Sequence, residues 1–218
     1  MSAREAILAR IRKAQGRGGA EPGTAERALV RDTIARHEIG PRPGIASAAD
    51  SLAQFRKESA RVSTSIAEVD SLEAVPAEVK RYLEGIGAAT PVVGWSEFAG
   101  LGWRAAGVAF AARPATGDDR TGLTGCFCAI AETGTVLLLS SPVMPKTNAL
   151  LPDTHICVVR RSRLVKSMED AFALVRAEIG EPPRSMFMVS GPSRTADIEQ
   201  TIVIGAHGPY RVHAILVP

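Results

Sequence analysis

The sequence predicts an α/β fold: an open, mostly parallel sheet preceded by a helical N-terminal segment. Three observations carry this. Residues 155–217 alternate strand, helix, strand, helix, strand, the pattern of parallel strands joined by crossover helices. The last run, 212–217, is apolar on both faces except at His213, as an interior strand of such a sheet requires. The first 60 residues instead show helical periodicity and capping residues.

The elements follow in order. Residues 3–14 read as a helix with Ile7, Leu8 and Ile11 turned inward, and 16–23 as a glycine-rich break. Thr24 caps a second helix running to Gly40, with Ala28, Leu29 and Ile34 as its apolar set, and residues 48–60 form a third. The expected organisation is a helical arm or cap over 1–60 and an α/β domain over 61–218. Strands are expected at 62–66, 91–95, 107–111, 126–131, 135–139, 155–159, 185–189 and 212–217. Helices are expected at 76–84, 168–179 and 196–204.

Composition excludes several classes. No apolar run among the 218 residues approaches the roughly 20 needed to cross a membrane. The net charge is +3, but residues 1–20 hold five basic groups and one acid, which leaves −1 for the remainder. The body therefore lacks the basic excess of a nucleic-acid binder. The Arg-rich, amphipathic opening has the character of an organelle transit peptide; the plainer reading is a surface helix. Cys126, Cys128 and Cys157 fit buried thiols in a reducing compartment and fall short of the four thiolates of an ordinary iron–sulfur cluster.

No cofactor is implied by motif. Gly85-Ile86-Gly87-Ala88-Ala89-Thr90 follows a helix and precedes a strand, the reverse of a dinucleotide fingerprint, and reads as a helix C-cap. There is no phosphate-cradling loop and no nucleophile elbow. His37, His155, His207 and His213 show no metal-binding helical spacing, and His213 reads as a hydrogen-bonded core histidine.

The residues able to carry chemistry fall after Gly122, in three segments. In Ala131-Glu132-Thr133-Gly134-Thr135, a carboxylate stands between two apolar runs. Partial desolvation there would raise its pKa and suit Glu132 to acid–base or nucleophilic work; the alternative is a plain hairpin turn. In Ser190-Gly191-Pro192-Ser193-Arg194-Thr195-Ala196-Asp197-Ile198-Glu199, a strand gives way to the start of the expected helix. Its backbone N–H groups, with Ser193, Arg194 and Thr195, would suit an anion. Asp197 and Glu199 in the first turn favour a monoanionic carboxylate over a polyphosphate. In Gly205-Ala206-His207-Gly208-Pro209, His207 is a possible proton carrier. Because this segment enters the last strand at its N-terminal end, His207 is expected on the sheet edge opposite Arg194.

Together with Leu151-Pro152-Asp153-Thr154-His155-Ile156 and His213, these segments resemble the lactate utilization protein C family, characterised by the LUD domain. The resemblance covers about half the chain, from Gly122 onward. It implies a fold similar to phosphosugar isomerases and coenzyme A transferases. It also implies a cytoplasmic role in a bacterial system that oxidises L-lactate to pyruvate with iron–sulfur partner proteins, and a small carboxylate as ligand. By analogy with coenzyme A transferases, Glu132 is the candidate nucleophile; His207, as a possible proton carrier, is the second catalytic candidate. Thr133, Gly134, Ser193, Arg194, Thr195 and Asp197 are the candidate substrate-binding residues. The alternatives are a stand-alone enzyme on a small carboxylate or acyl thioester using Glu132, and a non-catalytic module that binds a carboxylate metabolite.

Overall fold

The computed structural model describes residues 2–16, 21–36, 38, 40–41, 50–88, 91–196 and 200–218. The chain divides into two compact units, Met1–Ala46 and Ser47–Pro218. The first holds α1 (Ala3–Ala14) and α2 (Thr24–Arg36). Ser2 and Glu5 form a reciprocal capping box at the start of α1, which satisfies two otherwise orphaned N–H groups. The expected inward face is not buried: Ile7, Leu8 and Ile11 are exposed, as are Leu29 and Ile34 on α2. The second helix stops at Arg36 rather than Gly40, and His37 lies outside the described residues.

The second unit begins with α3 (Ser51–Arg61), β1 (Thr64–Glu68), α4 (Val75–Gly85), β2 (Val92–Gly94), β3 (Phe110–Ala112) and β4 (Thr121–Thr124). There follow β5 (Cys128–Ile130), β6 (Thr135–Leu139), α5 (Thr147–Leu150), β7 (Thr154–Arg160) and β8 (Leu164–Val165). The chain closes with α6 (Met168–Glu178), β9 (Met186–Val189), β10 (Arg194–Thr195), β11 (Val203–Ile204) and β12 (Arg211–Val217). Within the expected arm of residues 1–60, α3 packs with this α/β body: Phe55 is fully buried in its core.

Six strands form one sheet in the order β1-β12-β7-β4-β2-β3, and every neighbouring pair is parallel. β12 sits between β1 and β7, with Ile215 opposite both Ala67 and Val158. An interior parallel strand is covered on both faces, which explains its unbroken apolar run. Val75, Val79 and Leu83, spaced four apart, give α4 one apolar stripe, and all three are buried in the same core.

A second sheet, in the order β8-β5-β6-β9, is mostly antiparallel. Its two central strands, β5 and β6, are buried at every position and apolar except at Thr135, because both their faces are covered. Ala129, Ala131, Val136 and Leu138 face the main core, whereas Cys128, Ile130, Leu137 and Leu139 face Ala171 and Val175 of α6. This is the two-residue side-chain period of a strand, read out as two separate cores.

Two expectations are corrected. The strand at 186–189 pairs antiparallel with β6 and is not a member of the parallel sheet. The helix expected over 196–204 is also not seen: Val203 and Ile204 pair as strand with Thr195 and Arg194. These β-branched residues pack better in extended backbone than in a helix. Residues 197–199, Asp197 among them, lie outside the described residues.

Two buried histidines tie the sheet to its surroundings. His155 Nε2 meets Thr124 Oγ1 at 2.8 Å in the sheet interior. His213 is stacked on Tyr82 at 3.9 Å and meets Ser65 Oγ at 2.8 Å through Nδ1. Burial pushes both imidazoles down from 6.5 to about 4. Asp119, in the turn entering β4, accepts both guanidinium Nη groups of Arg113 at 2.7 Å, and the guanidinium holds its carboxyl well below the usual range.

Both effects make the fold acid-sensitive, in two stages. As pH falls below about 6.5, the unfolded chain takes up protons that folded His155 and His213 refuse, until about pH 4. Each histidine removes up to about 3 kcal/mol over that window. Below about pH 4 the protonation of Asp119 removes more. Thermal melts at stepped pH check this: a flat melting temperature from pH 7 to pH 4 contradicts it. Gly134, with φ 63°, lies against the backbone of Glu58 and Ser59 at the end of α3, where a Cβ has no room. Gly134→Ala is expected to cost at least about 2 kcal/mol by urea unfolding.

Candidate functional site

The parallel sheet has two edges, and the polar residues divide between them. The segments singled out in the sequence gather at the N-terminal edge. Arg194 donates from Nη2 to Ser63 Oγ at 2.6 Å, and Ser63 immediately precedes β1. Gly191 packs on the carbonyl of Val62. Ser190 Oγ meets Thr135 Oγ1 at 2.5 Å, which in turn meets Thr133 Oγ1 at 2.7 Å. The Ser193 N–H donates to Pro209 O at 2.9 Å, and Gly208 lies against the Ser193 side chain. Thr133, Gly134, Ser193 and Arg194 thus come together around the entry to β1. Thr195 lies beside them on β10.

The exposed His207 stands next to Gly208 and just before β12, so it shares this edge with Arg194 instead of lying across the sheet. The expectation of opposite edges assumed that β9 belonged to the parallel sheet. Its antiparallel pairing with β6 carries the following turn to the near end instead.

Glu132 turns elsewhere. Its Oε1 accepts the Met168 N–H at 2.9 Å, at the first turn of α6, and its own N–H donates to Lys166 O. A carboxylate there complements the helix dipole and satisfies an orphan donor. Its second oxygen, Oε2, is buried without a hydrogen-bond partner among the described residues. Glu132 and Arg194 thus engage different partners, the start of α6 and Ser63.

The C-terminal edge holds what the sequence did not single out. In open α/β sheets ligands lie beyond the carboxyl ends of the strands. Here those ends border a cleft of about 490 Å³. Trp95 and Glu97 enter it from the end of β2, Cys126 and Phe127 from the end of β4, and Arg160 and Arg163 from the end of β7. Ser140, Met144 and the end of α6 close the other side.

The two arginines differ. Arg163 is fully committed: it donates to Phe127 O at 2.7 Å and to both oxygens of Glu178 at 2.7 and 2.9 Å, and it lies over the Phe127 ring. Arg160 is exposed and its side chain makes no hydrogen bond among the described residues; its charge acts on Glu97. Glu97 stands on the rim with its carboxyl against Gly125, where an added Cβ would lie 2.8 Å from Oε1. Partial burial raises the Glu97 pKa, and Arg160 opposes the rise.

The thiols are quiet. All three cysteines are free. The neighbouring Cys157 thiol, and then burial, push Cys126 well above the usual thiol range, and burial pushes Cys128 up to about 12. They stay protonated near neutral pH, which is poor preparation for nucleophilic attack. Among the described residues no group of His, Cys, Asp and Glu is arranged to hold a metal ion. A second depression, of about 600 Å³ beside β3, carries Arg104 as its one charge and no converging polar groups.

Comparison with known proteins bears on the α/β body. Residues 111–217 match the LUD domain. A lactate utilization protein C of Deinococcus radiodurans is 42% identical over 96 residues, 44% of this chain and 45% of that protein. One of Bacillus subtilis is 38% identical over 99 residues, 44% and 41% respectively. An uncharacterised protein of Neisseria meningitidis serogroup B is 41% identical over 88 residues, 40% and 38%. The matches span less than half the length of each of these relatives. The crystal structure of a DUF162 family protein from Deinococcus radiodurans superposes with a TM-score of 0.58 at 27% identity, covering 78% of this chain and 98% of that one. Residues 111–217, from β3 to β12, are therefore identified as a LUD domain, the region over which the chain is similar to proteins named lactate utilization protein C.

Proposed function

We propose that this protein works in a system that oxidises L-lactate to pyruvate, beside partner proteins that carry iron–sulfur clusters, and that its own part is to hold a small carboxylate. The observation that carries this reading is the likeness of the β3–β12 body to proteins named lactate utilization protein C. The chemistry of the chain agrees with a division of labour. Lactate gives up two electrons on oxidation, and the three thiols of these 218 residues fall short of the four-thiolate ligand set of a cluster. Electron carriage then falls to the partners. No described helix is long and apolar enough to cross a membrane.

A second reading keeps Glu132 as base or nucleophile of a stand-alone enzyme on a small carboxylate or acyl thioester. What favours it is the buried, unpartnered Oε2. What weighs against it is the bond from Oε1 to the start of α6, which gives the carboxylate a structural task.

One set of measurements separates the two. Affinity purification of the tagged chain from its own host is expected to bring down iron–sulfur proteins and lactate-dependent dye reduction. Deleting its gene is expected to abolish growth on L-lactate; normal growth, with no redundant route, contradicts the proposal. Glu132→Gln is expected to lower stability by about 1 kcal/mol, from the weakened helix-terminal bond, and to leave lactate-dependent dye reduction in place. Loss of that activity in a variant that melts normally supports the second reading instead.

A further inference from the structure

We propose that the cleft at the C-terminal edge of the parallel sheet binds the carboxylate of an amphipathic organic acid. Arg160 anchors the carboxylate, Glu97 stands beside it, and Trp95 and Phe127 flank an apolar body larger than the methyl group of lactate. The reading above supplies the expectation of a carboxylate ligand; the place, the anchor and the size of the ligand come from the cleft itself.

Charge selects the headgroup. Of the two guanidinium groups in the cleft, Arg163 is fully occupied by Glu178 and the Phe127 carbonyl. Arg160 closes β7, exposed and with no side-chain hydrogen bond among the described residues. A planar guanidinium with free N–H groups matches a carboxylate with two parallel hydrogen bonds.

Size selects the body. A volume of about 490 Å³ falls within the range of roughly 300–1,000 Å³ typical of sites for ligands well above lactate in size. Lactate alone would leave most of the cleft wet. The aromatic and apolar walls gain only if apolar surface covers them.

Glu97 adds a dependence on pH. The charged or titratable groups facing the cleft are Glu97, Arg160, Arg163, Glu178 and Cys126. Arg163 and Glu178 neutralise one another, and the Cys126 thiol stays protonated. A bound carboxylate sets a second negative charge beside Glu97, whose pKa burial has already raised. Like charges favour the protonated form, which can then donate an O–H to the ligand. Binding takes up a proton, so affinity falls as pH rises.

The test is calorimetric titration of the full chain with L-lactate, pyruvate, 3-phenyllactate and the methyl ester of 3-phenyllactate, between about pH 5 and pH 8. Phenyllactate is expected to bind at least about tenfold more tightly than lactate, and the ester to lose that affinity. Arg160→Ala, at an exposed position, is expected to weaken phenyllactate at least about tenfold without changing the melting temperature. Wild-type affinity is expected to fall at least about threefold across the pH range, and Glu97→Gln to bind with a flat profile. No binding at millimolar ligand, full affinity in Arg160→Ala, or an unchanged pH slope in Glu97→Gln overturns the proposal. Lactate-dependent dye reduction keeps the two readings apart. If it is absent while the cleft binds as stated, the cleft stands and the lactate role fails. If it is present while the cleft fails to bind as stated, the lactate role stands and the cleft fails.

Discussion

The rest of the molecule depends on the pairing of β12 between β1 and β7 in an all-parallel sheet. Parallel strands cannot be joined by tight hairpins, so each connection must cross a face of the sheet and cover it. That is why β12 and β7 are apolar on both sides and why their two histidines must be buried neutral. Parallel pairing also sends every strand's carboxyl end to one edge. Arg160, Gly125 and Trp95 meet there although they are far apart in sequence.

The two edges have consequently been put to different uses. At the N-terminal edge most of the polar groups around the entry to β1 pair with one another, Thr133 with Thr135, Thr135 with Ser190, and Arg194 with Ser63, while the buried Ser59 and Thr64 hydroxyls have no hydrogen-bond partner among the described residues. Glycines at 134 and 191 let three chain segments approach the entry to β1 within backbone contact. This is a structural knot, and the buried ends of α3 and β6 rely on it. At the C-terminal edge, the Arg160 side chain makes no hydrogen bond among the described residues, and its charge acts on the partly buried Glu97. Unsatisfied groups around a concave surface are what a ligand can use, whereas a closed hydrogen-bond chain offers little.

Much of the fold was legible in the sequence because burial on both faces leaves a direct trace. The run Thr135–Leu139 reads as a strand and is one, and so do β7 and β12. The 168–178 helix announces itself through Ser167 and Asp170, which form a capping box. Failure came where local and tertiary preferences part. Ile198 and Ile202 stand at helical spacing in the sequence, but Val203 and Ile204 prefer extended backbone, and Gln200 adopts a φ of 56° that ends any helix. Parallel and antiparallel membership of β9 leaves no mark in four apolar residues, so the edge assigned to Arg194 came out reversed. The cleft was illegible for a related reason. Glu97, Cys126 and Arg160 are single polar residues after apolar strands, each unremarkable alone. The signal that could have found them is position: each lies at, or just beyond, the carboxyl end of a strand that parallel topology gathers to one side.

On the proposed reading, ligand chemistry belongs to the carboxyl edge of the sheet and the polar knot at the other edge is structural. Amide and indole chemical-shift mapping during titration with 3-phenyllactate addresses it most directly. The shifts are expected to concentrate at the Trp95 indole N–H, now bonded to Pro145 O at 3.1 Å, and at the amides of Gly125, Cys126, Phe127 and Arg160. Shifts concentrated instead at Thr133, Ser190, Ser193 and Arg194, with the Trp95 indole unmoved, would contradict it.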